Sequence, residues 1–354
     1  MRKVSLDTIK GSEVLGKDIV TSCGITLMVA GTVVKKEYVE KLHELNIQYI
    51  YIKDNLSEGI NESDIIENQI KQQCQATIKE VIEKFSYSGT KKLDEIIGVA
   101  DEIITDVLKQ KEVIYNISGI RDKSEHTYAH SLNVCALSVL VAIKMKIPRQ
   151  KIKEIAIGSL LHDIGFLFYD NEYSDINLDE CSEEEIKIIK NHVILGYSLV
   201  NKETWLSPTS KDIIVSHHER LDGSGYPLSK TDSKIRKAAK IVAVCDEFDC
   251  RVYGNQRSRC KVHDAIDYIV SQADIKFDIN VVRVFMDSVA AYPIGTIVIT
   301  NRGDKGIVLR QNQKCPTRPV IRLIEDKKGE KYRSWIEQDL AQELTLFIED
   351  TILD

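Results

Sequence analysis

The chain has 354 residues, long for one ordinary domain and suited to two or three. Hydrophobic residues make up 43% and charged residues 29%, with 6 prolines, which excludes a disordered chain and points to a mainly helical one. The formal net charge of -6 supplies no clustered positive field for a DNA or RNA groove, although a metal ion could reverse the local sign for an anionic substrate.

Residues 1–55 alternate short apolar runs with turn chemistry and are expected to form a small N-terminal α/β or β-rich unit. Its pieces are a run at Ile25 to Val29, an amphipathic helix from Lys36 to Leu45 with Val39, Leu42 and Leu45 on one face, and a run from Tyr49 to Ile52. The start of the chain lacks the apolar core of a signal peptide. Eight cysteines are present: Cys23, Cys74, Cys135, Cys181, Cys245, Cys250, Cys260 and Cys315. With no CxxC pair among them, they read as reduced thiols in a cytoplasmic protein. Asp54 to Ser63 has linker composition.

From 64 to 115 apolar residues recur at helical spacing and predict two helices with a break at Ser86 to Thr90. The pair reads as a helical connector or as part of the core, and a homodimer through it is one option. Residues 117–291 read as helix almost throughout. The longest apolar run, Val134 to Ile143, is shorter than the ~20 residues a membrane span needs and predicts a buried helix. Residues 292–354 carry β-branched runs separated by turn signals, which predicts a small C-terminal antiparallel β unit.

Six of the eight histidines lie between His126 and His218, a clustering that packing does not explain. Asp163 and Asp246 sit in apolar runs, where a carboxylate needs a strong partner, and a metal ion is the natural one. Mixed imidazole and carboxylate ligands suit iron, manganese or zinc. Two such ions about 4 Å apart generate a hydroxide at neutral pH and stabilise in-line displacement at phosphorus, which is phosphodiesterase chemistry. His43 stands without a second ligand nearby and reads as an ordinary surface histidine. His263 matches no motif and reads as an exposed helix residue.

His130 in YAHSLNV, His162 and Asp163 in LLHDIG, His192 in KNHVILG, HHERLDGSGYP at 217–227 and Asp246 in VCDEFD follow one another in the order of a known family. Together they resemble the HD-GYP family, cyclic di-GMP phosphodiesterases of bacterial signalling, over about residues 117–290. The resemblance implies an all-helical HD-superfamily domain with two divalent ions, iron or manganese. His130, His162, Asp163 and Asp246 would hold one ion. Asp163, His192, His217 and His218 would hold the other, with Asp163 bridging and serving as the catalytic carboxylate. His126, one turn before His130, is an extra ligand or a bystander.

Gly223, Gly225, Tyr226 and Pro227 would form the loop that names the family, as a substrate contact or a docking point for a signalling partner. Arg220 would meet a substrate phosphate or make a surface ion pair. The implied reaction opens cyclic di-GMP to pGpG, with GMP as a further product. Two departures stand out. Phe166 takes the place of a family Lys associated with the scissile phosphate, and CRVYGNQRSR replaces the usual run after Asp249, with Arg257 or Arg259 as substitutes for its arginine. They leave two alternatives, a catalytically impaired cyclic-dinucleotide receptor and a phosphohydrolase of another cyclic dinucleotide or nucleotide.

Overall fold

The computed structural model describes residues 1–20, 26–45, 47, 49–60, 68–88, 93–109, 126–169 and 177–352. Ile25, the linker beyond residue 60, the sequence from 110 to 125 and that from 170 to 176 lie outside the described residues, as does the His126 side chain.

The N-terminal unit is a four-stranded antiparallel sheet with a separate two-stranded ribbon of β3 (Ile19–Val20) and β4 (Thr26–Met28). β1 (Arg2–Ser5), β6 (Tyr49–Lys53), β2 (Glu13–Leu15) and β5 (Val33–Val34) lie side by side in that order. Helix α1 (Lys36–Glu44) adds Leu42 to a core with Leu6, Leu15, Val34, Ile50 and Ile52. Leu45, expected on the same apolar face, falls just past the helix end and is exposed.

The linker-like segment is ordered where it is described. Asp54 and Ser57 cap a 3-10 turn at Asn55–Ser57 reciprocally, and Ile60 is buried with Ile294, Ile307, Leu309 and Val320 of the C-terminal unit. Arg322 donates to the Glu58 carbonyl at 2.8 Å, so this stretch joins the two flanking units.

α2 (Asn68–Ser88) and α3 (Ile96–Lys109) turn their apolar stripes inward. Ile78, Val81, Ile103 and Val107 share one core with the helices that follow, so the pair belongs to the main body rather than standing apart as a connector. At the centre runs α4 (His126–Lys144), buried on nearly every face from Leu132 to Ala142, as its unbroken apolar run predicts. It packs on α5 (Arg149–Leu160) and α9 (Lys237–Tyr253), while α8 (Pro208–Ser216) packs on α5. α6 (Glu183–Lys190), α7 (His192–Val200), α10 (Val262–Ser271) and α11 (Ile279–Met286) complete the helical body.

The C-terminal unit is a five-stranded antiparallel sheet. Its order is β10 (Lys331–Asp339), β9 (Val320–Glu325), β8 (Lys305–Arg310), β7 (Ile297–Thr300) and β11 (Ile348–Thr351). Among the described residues no helix is long and apolar enough to cross a membrane, and no cysteine forms a disulfide.

Candidate metal centre

Three of the histidines sit where helices end. His162 follows α5, His192 follows α6 and opens α7, and His217 follows α8. The last turn of a helix leaves carbonyls without partners. Each ring supplies one: His162 Nδ1 donates to Ser159 O and His192 Nδ1 to Ile189 O, both at 2.7 Å, and His217 Nδ1 lies 3.1 Å from Ile214 O. With the proton on Nδ1, each Nε2 lone pair is aimed at a common centre. The three helix C-termini also bring partial negative charge to that centre, which favours a cation.

His130 reaches the same point from the middle of α4, with Nδ1 held by Asp249 Oδ2 at 2.7 Å. Its Nε2 lies 3.1 Å from His162 Nε2 and 3.1 Å from Asp246 Oδ1. His192 Nε2 and His217 Nε2 are 3.4 Å apart. Lone pairs facing each other at such distances need a positive charge between them.

Asp163 stands between the two histidine pairs. Its Oδ2 is 3.6 Å from His130 Nε2 and 3.4 Å from His162 Nε2, while its Oδ1 is 3.3 Å from His192 Nε2 and 3.6 Å from His217 Nε2. Asp163 Oδ1 and His218 Nε2 are buried without a hydrogen-bond partner among the described residues. His218 turns Nδ1 toward Asp246 Oδ2 at 3.7 Å. Asp163, His192, His217 and His218 thus place ligand atoms within 4.8 Å of one another, as do His130, His162 and Asp163. The donor set fits divalent ions.

Electrostatics agree with a centre built around charge. Burial pushes Asp163 up, but His162, His192 and His217 outweigh it and hold the carboxyl well below its usual range. Asp246 is treated the same way by His130 and His162. Burial pulls His130 down, yet hydrogen bonds to Asp246 and Asp249 prevail and raise it to about 10. His218 is driven well below the usual imidazole range by burial and by His217. Without an ion, protons on some rings do the work that a cation would do.

Aromatic rings cover two of the imidazoles. Phe166 stacks on His192, and Tyr226 stacks on His218 with centroids 4.7 Å apart. The loop carrying Tyr226 is fixed from beneath by Glu219, whose carboxylate accepts from the backbone N–H of Leu228 and of Lys230, each at 2.8 Å. Gly225 is required by contact: a Cβ there would lie 2.4 Å from Arg220 N and 2.5 Å from His218 O. Gly223 has φ +80, and Pro227 follows a cis peptide. Gly165 meets α7 backbone to backbone, and a Cβ on it would fall 1.9 Å from His192 O.

A cavity of about 280 Å³ opens beside His218 and Asp246, with Lys190, Arg220, Arg257 and Lys276 in its walls. Arg220 is buried rather than on the surface. It is paired with Glu247 at 2.9 Å and lies over the Phe277 ring. His263 is half-buried on α10 against the Tyr292 ring rather than exposed, because its helix packs near the C-terminal unit. His43 remains exposed on α1.

Asp249, Glu219, Glu247 and Cys250 escaped the sequence reading. Asp249 and Cys250 had a signal: in CDEFDC they follow Asp246 by three and four residues and so share its helix face.

The HD domain profile matches residues 113–281, and the profile of a KOW domain associated with the HD domain matches residues 297–353. A cyclic di-GMP phosphodiesterase of Pseudomonas aeruginosa is 29% identical over 227 residues, 64% of this chain and 54% of its own length. One of Borreliella burgdorferi is 28% identical over 196 residues, 55% of this chain and 51% of its own. The chain spans about half the length of these curated relatives. An HDG"Y"P protein from Bdellovibrio bacteriovorus shares the fold, with TM-score 0.51 and 18% identity over 80% of this chain and 97% of that one. One helical body carrying the HD and GYP motifs thus matches the HD domain profile, a KOW domain profile follows it, and the chain is similar to cyclic di-GMP phosphodiesterases.

Proposed function

We propose that this chain is a metal-dependent phosphodiesterase that opens cyclic di-GMP to linear pGpG, and further to GMP. The observation that carries the reading is Asp163, whose two oxygens face two separate histidine pairs inside a buried cluster. Such a carboxylate is placed to bridge two ions. His130, His162 and Asp246 would complete one site, and His192, His217 and His218 the other. Iron or manganese suits these ligands. When bound, the two ions supply an activated water and neutralise charge on phosphorus and leaving group.

The protein's own groups do the rest. Carbonyls at three helix ends and Asp249 orient the rings, and the packed core around α4 and α9 keeps them in place. Lys190, Arg220, Arg257 and Lys276 outnumber Asp246 and Glu247 in the walls of the adjoining cavity, which favours an anion although Glu247 pairs with Arg220. The Pseudomonas and Borreliella relatives are named cyclic di-GMP phosphodiesterases, which supports that substrate first, while others are named 3'3'-cGAMP-specific phosphodiesterases. The cytoplasm is the expected compartment, and the GYP loop is the expected docking point for a signalling partner.

One observation favours a second reading, a cyclic-dinucleotide receptor with little or no turnover. Phe166 lies flat on His192 and offers neither charge nor proton where the family has Lys. The deciding experiment is turnover of cyclic di-GMP by anaerobically purified protein loaded with iron or manganese, with D163A as control and a panel of other cyclic dinucleotides alongside. Turnover lost in D163A supports the phosphodiesterase. Tight binding without turnover, at two ions per chain, overturns it in favour of the receptor.

A further inference from the structure

His130, Asp246 and Cys250 each place a ligand atom within 4.8 Å of the other two. Cys250 lies one turn after Asp246 on α9, so thiol and carboxylate share a helix face. Its Sγ is 3.5 Å from Asp246 Oδ1, the same oxygen that lies 3.1 Å from His130 Nε2. The thiol is buried, and it borders the cavity next to Asp246 and His218. Cys245, one residue before Asp246, is also buried but belongs to no such group among the described residues.

Resting on the metal reading above, we infer that Cys250 is a thiolate ligand of the ion held by His130 and Asp246. A sulfur–metal bond forms, the S–H bond breaks, and the proton leaves to solvent with no change of oxidation state. The two ions are then chemically unequal. One has histidine and carboxylate ligands alone, and the other adds a soft sulfur. That sulfur favours iron(II) or zinc over manganese at the His130 side, since thiolates prefer softer ions. The inference ties metal choice to a single residue of this chain.

Cobalt(II) reports the bond directly. The full chain, stripped of metal and refilled anaerobically with cobalt(II), is expected to show a near-ultraviolet sulfur-to-cobalt charge-transfer band. C250S and C250A are expected to lose the band while keeping the wild-type ion count. In C250S the preference for zinc over manganese is expected to fall by about tenfold, the scale on which changes around metal ligands alter affinity. Wild type filled with cobalt but lacking the band overturns the inference, as does an undiminished band in either variant. Failure of wild type to bind ions at all would sink the metal reading itself, which the ion count distinguishes. Circular dichroism and melting temperature show whether each variant is folded, and absence of the band in cobalt-filled wild type overturns the inference without them.

Discussion

The Phe166 ring lies flat on the His192 imidazole, with centroids 4.4 Å apart and planes 16° apart. It therefore covers one candidate ligand, at the position where the family resemblance places a lysine. We predict that F166K raises the rate constant for cyclic di-GMP hydrolysis by at least about tenfold at unchanged ion content, since one charge-stabilising donor is worth ~3 kcal/mol in a transition state. Steady-state kinetics on metal-counted protein check it. An unchanged or lower rate would show that the ring sits away from the reacting phosphate.

Asp163 faces both histidine pairs, so its loss is expected to empty both positions together. D163A should carry less than about half the ions of wild type, by elemental analysis after gel filtration, because the alanine offers no oxygen to either histidine pair. Retention of the full count would show that the two sites fill independently of it.

Asp249 holds the Nδ1–H of His130 at 2.7 Å and accepts from Asn133 Nδ2 at 3.2 Å. D249N keeps the shape but removes the charge that orients the ring and raises its basicity. Affinity for the ion at His130 should fall by about tenfold to a hundredfold, the usual consequence of losing a partner behind a ligand. Chelator competition measures it directly.

Glu219 is 2% exposed and anchors two backbone N–H groups of the GYP loop. E219A should cost about 2 kcal/mol in urea unfolding, since two part-buried backbone N–H groups lose a charged acceptor. The metal count should stay the same, because Glu219 donates nothing to the cluster. A loss of ions in that variant would mean that the loop also supports the centre.

Stripping the ions leaves imidazoles and carboxylates buried together. Chelation of the loaded protein should lower the melting temperature by about 5 °C or more, given ~3 kcal/mol of stabilisation at a ligand concentration a hundredfold above Kd. Calorimetry of loaded and stripped protein checks it. Equal melting would mean that the protonated rings replace the ions at no cost.

Much of this centre was legible in the sequence because the chemistry demands particular residue types. His162, His192 and His217 stand in motifs, but their places at the ends of α5, α6 and α8 show only in the structure. Asp249 was less visible, since an acid in a helix also suits a solvated face, and only its spacing from Asp246 spoke against that. Arg220 could be singled out, but its partner Glu247 lies 27 residues away on another helix, and no local pattern announces the pair. Residues 54–60 misled for a different reason. Their contact with the C-terminal sheet runs partly through backbone carbonyls, as at Glu58, and a carbonyl is the same in every residue.

Gly165 sits between Asp163 and the helix that begins at His192. A Cβ there would come within 1.9 Å of the His192 carbonyl, against 3.4 Å for an ordinary contact, so α7 would have to retreat by about 1.5 Å. Metal–ligand distances tolerate only about 0.2 Å. A single absent methyl group therefore acts as the spacer that keeps His192 within 3.3 Å of Asp163, and adding one as G165A is expected to draw that imidazole away from the carboxylate.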